Sequence, residues 1–540
     1  MTLTRKIFSI ILVIALLLPT LALISGCKKD ETPEGDGGNP PMADPTDDNY
    51  RTFYQIFVGS FSDANGDTFG DLRGIINRMD YLNDGDINNG NDLGVQGIWL
   101  SPIFSSPSYH KYDVKDYYQI DWRFGDMNDL KELADLCEER NVKLILDLVL
   151  NHTSSQNKWF QEFKQSRVNG DTTNKYYDYY TCVTSSEKVS GRSYQRIMGI
   201  DGYYEVNFSG DMPELDYDNP EVKEEMLNVA KYYLDLGVDG FRFDAVKYIY
   251  YGDTKANVEF WDWYMSELKA YKPDVYCVGE CWSAEAEILD YYSALNCFNF
   301  AMSGAEGYAS GAAKGQSLVT FTNYIESFQD KVQKANPEGI PMQFLANHDQ
   351  DRIAGAFILP ANMKMAASLY LLSPGSPFIY YGEEIGMMGS RGAAMTDANR
   401  RLAMLWGDPE DKVKDPVGTT YAPEKQTNGT VASQLEDENS ILNHYAKLIN
   451  LRTKYPAIAR GEYNAVSSTN KNLGGFYVEY NGEVIGILHN NSANEISMAL
   501  PTLRGLDGNS FSKLLEVIGG EASFDGTTLK IAPYTSVILQ

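Results

Sequence analysis

Four short runs in this 540-residue chain end in groups that can move protons. DLVLNH (147–152) supplies Asp147, Asn151 and His152, and GFRFDAVKY (240–248) supplies Arg242 and Asp244. GECW (279–282) supplies Glu280, and FLANHD (344–349) supplies Asn347, His348 and Asp349. Carboxylates brought together with an arginine suit glycoside hydrolysis. One attacks the anomeric carbon, while a second protonates the leaving oxygen and later activates water. Any one of these acids could simply cap a helix or pair with Arg. A set spread over separate runs is harder to assign to capping. A fifth run, DANGDTFGD (63–71), places Asp63, Asn65, Asp67 and Asp71 at positions 1, 3, 5 and 9, as an EF-hand does. Position 12, which closes an EF-hand with glutamate, is Gly74 here.

These residues need a scaffold that gathers distant segments. Eight apolar runs recur along the chain: 54–61, 94–104, 143–152, 237–246, 274–280, 294–300, 341–349 and 376–384. Amphipathic stretches such as 127–140 and 220–236 lie between most of them. Eight strands alternating with helices predict an α/β fold, a TIM (β/α)8 barrel, whose chemistry sits at the C-terminal strand ends. A doubly wound sheet is disfavoured because no Gly-rich dinucleotide fingerprint follows the first strand. The barrel is expected over 50–150 and 217–460. The Tyr-, Ser- and Gly-rich stretch 151–216 is too long for an ordinary loop and predicts an inserted domain after strand three. From 461 to 540, alternating turn-separated strands predict a C-terminal antiparallel β-sandwich.

Residues 1–26 read as a secretory signal: Arg5 and Lys6, an apolar run, then Ser25-Gly26-Cys27. The ending resembles a bacterial lipobox, which implies lipidation of Cys27 and attachment to a membrane. Residues 27–49 form a Pro-, Gly- and acid-rich tether, and KKDE after Cys27 resembles a cell-surface export signal. With 46 basic against 74 acidic residues, the net charge of −28 argues against a nucleic-acid partner. Five cysteines remain beyond Cys27, an odd number that argues against a disulfide framework. Cys277 and Cys281 have no accompanying Cys/His pair, so a zinc site is not expected.

The four ordered motifs resemble those of glycoside hydrolase family 13, the α-amylase family, and MPELD (212–216) resembles its fifth. The resemblance spans roughly 50–540. It implies Asp244 as nucleophile, Glu280 as acid/base and Asp349 as a third catalytic carboxylate that binds and distorts the sugar. Arg242 would keep Asp244 ionised, and His152, His348 and Tyr112 would contact the sugar, with His110 beside them. The α configuration would be retained, with Asp244 and Glu280 about 5–5.5 Å apart. The 63–71 run is similar to a loop of oligo-1,6-glucosidase-like members that binds one structural Ca2+. By that resemblance the ligands are Asp63, Asn65, Asp67, the Phe69 carbonyl and Asp71.

The chain departs from the family pattern in places. Lys247-Tyr248 stands where Lys-His is usual, and that histidine often helps hold a second calcium. Asn151 and Glu214 match two of that site's other ligands. Tyr109 stands where exo-acting α-glucosidases often carry an acid. RRLAMLW (400–406) resembles a motif after strand eight, to which no chemical role is assigned. The expected activity is an endo-acting α-1,4-glucan hydrolase acting outside the cell on starch-like polymers, with glucan-binding or transport proteins as possible partners. A neopullulanase or oligosaccharide α-glucosidase is the nearest alternative, and a non-catalytic glucan binder a remote one.

Overall fold

The computed structural model describes residues 49–86, 90, 92–506 and 508–540. The expected signal, Cys27 and nearly all of the tether lie outside them. Seven parallel strands run in the hydrogen-bonded order Tyr276–Gly279, Gly240–Phe243, Lys143–Leu148, Gly97–Leu100, Phe53–Ile56, Ser376–Tyr380 and Met342–Phe344. The 294–300 run closes the ring through single parallel bridges, Gly279 to Cys297 and Phe298 to Met342. Gly279 N donates to Asn296 O at 2.8 Å, and Asn299 N donates to Met342 O at 2.8 Å. The barrel is therefore complete, with an irregular sixth strand. Nearly every residue of the regular strands is buried, because helices cover one face and core side chains the other.

Aromatic rings fill the barrel. Phe53 stacks on Phe378 at 4.7 Å, and Phe298 lies 5.6 Å from Trp99 and 4.9 Å from Phe378. Gly97 makes room for this, since a Cβ there would lie 2.4 Å from the Phe53 ring. The surrounding helices carry their own start signals. Asp126 and Asp129 form a capping box for Met127–Glu139, and Asn219 caps Pro220–Asp235 ahead of Pro220.

After strand three, the excursion contains helix Lys158–Asn169 and a small antiparallel sheet of Cys182–Val183, Tyr203–Glu205 and Tyr194–Arg196. A bridge from His152 to Glu214 ties its two ends together, and one from Tyr180 to Leu215 ties its middle to its exit. The C-terminal region has a five-stranded antiparallel sheet facing a three-stranded one. Side-chain alternation divides its two faces. Phe476, Val478, Ile485, Ile487 and Ile538 join the barrel core, whereas Tyr477, Leu488, Val537 and Leu539 build a separate core within the sandwich. The five described cysteines are free. Among the described residues, no helix is long and apolar enough to cross a membrane.

Candidate active site

Arg242 is fully buried at the end of strand four, one turn of the pleat before Asp244. Its Nη1 donates to Asp147 Oδ1 at 2.8 Å and to Asp244 Oδ1 at 2.9 Å. Its Nη2 lies 3.0 Å from Glu280 Oε2. Strands three, four and five thus deliver three carboxylates to one guanidinium. The backbone helps: Ala245 has a left-handed φ of 53°, and Val246 N returns to donate to Glu280 O at 3.1 Å. One positive charge cannot neutralise three buried negatives, so a proton is retained. Burial pushes the Glu280 carboxyl up to about 8, with Arg242 opposing and Asp244, Asp349 and Asp147 adding to the rise. Burial likewise raises Asp147 to about 7, against the pull of Arg242.

A second chain of contacts crosses the mouth. Gln55 Nε2 donates to His348 Nδ1 at 2.7 Å, which leaves the proton of the neutral ring on Nε2. That nitrogen faces Tyr112 Oη at 2.6 Å and Asp349 Oδ2 at 3.0 Å. Tyr112 Oη donates in turn to Asp147 Oδ2 at 2.8 Å, and its ring stacks on His348 at 5.4 Å. Arg401 Nη2 donates to Asp349 Oδ1 at 2.6 Å. Burial opposes ionisation of Asp349, yet His348, Arg401 and Arg242 outweigh it and hold its carboxyl well below the usual range.

Burial keeps the histidines neutral. It lowers His348 and His152, and takes His110 down to about 4. His110 Nδ1 accepts from the Tyr112 backbone N–H at 3.2 Å, across a Lys111 whose φ is 67°. His152 is buried at the start of the excursion, with Asn151 Nδ2 3.3 Å from its Nδ1. His152 Nε2, Glu280 Oε1 and Arg242 Nε are buried without a hydrogen-bond partner in the protein. Buried polar atoms are nearly always partnered, so orphans gathered around one mouth mark where a polar ligand sits.

The alpha amylase catalytic-domain family matches residues 55–461, a span that contains this whole cluster. The chain belongs to the α-amylase family. It is 38% identical to Alpha-amylase 3 of Dictyoglomus thermophilum over 444 residues, covering 81% of this chain and 84% of that protein. It is 29% identical to an Oligo-1,6-glucosidase of Bacillus cereus, covering 83% and 91%. The solved structure of Eubacterium rectale Amy13B superposes with a TM-score of 0.83 at 33% identity, covering 93% of this chain and 97% of that one. The chain is a glycoside hydrolase with the family's TIM-barrel fold.

All the barrel-mouth residues singled out from the sequence come together in this amylase-family site. Gln55, Trp99 and Arg401 belong there too and escaped the sequence reading. Trp99 Nε1 donates to Asp147 Oδ2 at 3.3 Å, and the Arg242 guanidinium lies 5.2 Å from the Trp99 ring. Arg401 falls within RRLAMLW, a segment assigned no chemical role above, and contacts the site through Asp349. The arginine pair at its head was the available signal.

The 63–71 loop binds its own backbone. Asp63 accepts from Gly66 N at 2.7 Å and Thr68 N at 2.8 Å, and Asp71 accepts from Gly74 N at 2.6 Å as the cap of helix Leu72–Asn77. Among the described residues, no three His, Cys, Asp or Glu side chains converge as a metal site. Side chains fasten the end of the excursion to itself and to the barrel. Asn207 Nδ2 donates to Glu205 Oε1 at 2.6 Å and Glu214 Oε2 at 2.9 Å. Arg192 joins Glu205 Oε2 at 3.1 Å to Tyr251 O at 2.7 Å, and Tyr248 packs on Phe208 at 4.6 Å.

Proposed function

We propose that this chain is a retaining, endo-acting α-amylase that cleaves α-1,4 bonds of starch-like polysaccharides. The observation that carries the reading is the shared guanidinium. Arg242 holds Asp244 on one nitrogen, while Glu280, pushed up to about 8, sits by the other with Oε1 unpartnered. In the first step the Asp244 carboxylate attacks C1 of the sugar. The C1–O bond breaks, and the Glu280 proton passes to the leaving oxygen. In the second step water attacks C1 of the glycosyl ester, Glu280 takes its proton, and Asp244 leaves as carboxylate. Two inversions give net retention. Asp349, held ionised by Arg401 and His348, binds ring hydroxyls and favours the positively charged transition state. His152 Nε2 and the His348–Tyr112 pair line the same ring.

Endo action is supported by Tyr109, whose neutral hydroxyl accepts from Arg401 Nη1 at 3.1 Å where an exo-acting relative would carry an acid. The oligo-1,6-glucosidase relative favours a second reading, an oligosaccharide α-glucosidase. Products from amylose, pullulan and a short isomalto-oligosaccharide, with anomers followed by NMR, separate these readings. Endo cleavage of amylose to α-products is expected from the wild type. A β-product, or undiminished hydrolysis by D244N, overturns the mechanism.

The hard oxygen donors of Asp63, Asn65, Asp67, the Phe69 carbonyl and Asp71 suit Ca2+, which would brace the first βα loop. The N-terminal segment supports export and tethering through lipidated Cys27, which would place the enzyme outside the cytoplasm beside its polymer.

A further inference from the structure

The 63–71 loop also forms one wall of a cavity of about 280 Å3. The opposite wall is the segment from Lys414 to Val417, pinned across by Lys414 N donating to Thr68 O at 3.0 Å. Phe57, Tyr109 and Phe124 line the interior, with Phe69 and Val417 exposed at the rim. Just outside, Trp122 is 79% exposed. The Arg123 guanidinium lies 5.5 Å from the Phe69 ring and 5.6 Å from the Trp122 ring, joining the two aromatics. Asp121 holds this platform still: it accepts from Arg123 Nε at 3.0 Å and pairs with Lys111 Nζ at 2.7 Å.

At its inner end the cavity is separated from Asp349 by Tyr109 and Arg401. Tyr109 lines it, and the guanidinium that donates to the Tyr109 hydroxyl also holds Asp349. We propose that this cavity and the Trp122 face form an accessory binding track for an α-glucan chain, beside the site of cleavage. The proposal rests on the α-glucan hydrolase reading and adds where the polymer lies beyond the reacting sugar.

The chemistry of the surface selects such a ligand. Sugar rings present apolar C–H faces with hydroxyls at the edge, which match aromatic faces interleaved with hydrogen-bonding groups. Lys111 and Arg123 are already paired with Asp121, so they do not offer free cations to an anionic polymer. The fold itself has no use for a bare indole: Trp122 contributes nothing to the core.

The test is the double variant W122A/V417S, both residues being exposed and outside the catalytic cluster. Initial rates are measured on amylose and on maltotriose, and maltoheptaose binding is measured by calorimetry in the D244N background. The track predicts that kcat/KM on amylose falls about three- to tenfold through KM, as loss of an aromatic contact allows. Maltotriose turnover stays unchanged, and maltoheptaose binds more weakly to the triple variant than to D244N alone. Equal amylose rates, or an equal drop on both substrates, overturns the track. Either result leaves the hydrolase reading intact, whereas a wild type inactive on amylose would overturn that reading first.

Discussion

Replacing Asp147 with Asn tests whether the three carboxylates share one electrostatic account. Asp147 and Glu280 lie on adjacent nitrogens of Arg242, at 2.8 and 3.0 Å, so their nearest oxygens are within about 8 Å of each other. At an effective dielectric near 20, a unit charge at that distance contributes about 2 kcal/mol, or about 1.5 pH units. Burial raises both carboxyls, Glu280 further than Asp147, so Asp147 is the more ionised of the pair where Glu280 loses its proton and its charge acts there. Removing it makes Glu280 easier to ionise and also leaves Arg242 less shared. The alkaline limb of kcat/KM should therefore move from near pH 8 down by about one unit. The assay is kcat/KM on a soluble chromogenic malto-oligosaccharide from pH 5 to 10. D147N disturbs the Tyr112 hydrogen bond as well, so the maximum rate can fall. The position of the limb is independent of that amplitude. A limb that stays at pH 8, or moves upward, refutes the shared-guanidinium argument.

Gln55→Leu removes the donor that fixes the His348 tautomer; kcat should fall about tenfold with little change in KM, and an unchanged kcat would count against the tautomer argument. Phe476→Ala, at the seam between sandwich and barrel, should cost about 3–5 kcal/mol and lower the calorimetric Tm by several degrees without altering KM. Removing divalent cations with a chelator should lower Tm while leaving the chemical step at Asp244 little changed; an unaltered Tm with no metal found on elemental analysis would remove the calcium proposal. Burial raises both Glu280 and Glu383 to about 8, above the ordinary value near 4.3, so their contribution to stability is full below about pH 4 and lost as pH rises through 8. Thermal melts should accordingly show Tm declining between about pH 7 and 9, above the range near 6.5 where the histidines lowered by burial act in the opposite sense, and a Tm rising from pH 7 to 9 would contradict the buried-acid assignment.

The catalytic cluster was legible because a parallel barrel turns sequence position into spatial position. Arg242 and Asp244 share a face through two-residue periodicity, Glu280 and Asp349 each end an apolar run, and Asp147 lies near the end of its strand. Gln55 and Arg401 were not legible for the complementary reason. Gln55 meets His348 across 293 residues, and Arg401 meets Asp349 across 52, with nothing in either local pattern naming the partner. The sixth strand was readable as an apolar run, yet only two single bridges close it. Apolarity reports burial, and regular pairing also needs a register that the turn at 299–304 interrupts. Phe476, Tyr477 and Val478 fitted a strand of the expected C-terminal sandwich, without saying that one of its faces is covered by the barrel.

The Arg192 bridge from Glu205 to Tyr251 O gives the cleft an autonomy that an inorganic clip would not. A bound ion stabilises by mass action, so its hold weakens as free ion is depleted. A side chain arrives at a concentration set by the polypeptide itself. The strap that Arg192 makes should thus persist in chelating media, where an ion-clipped contact would loosen. Whatever ion the 63–71 loop takes up, this join between excursion and barrel is set by the chain.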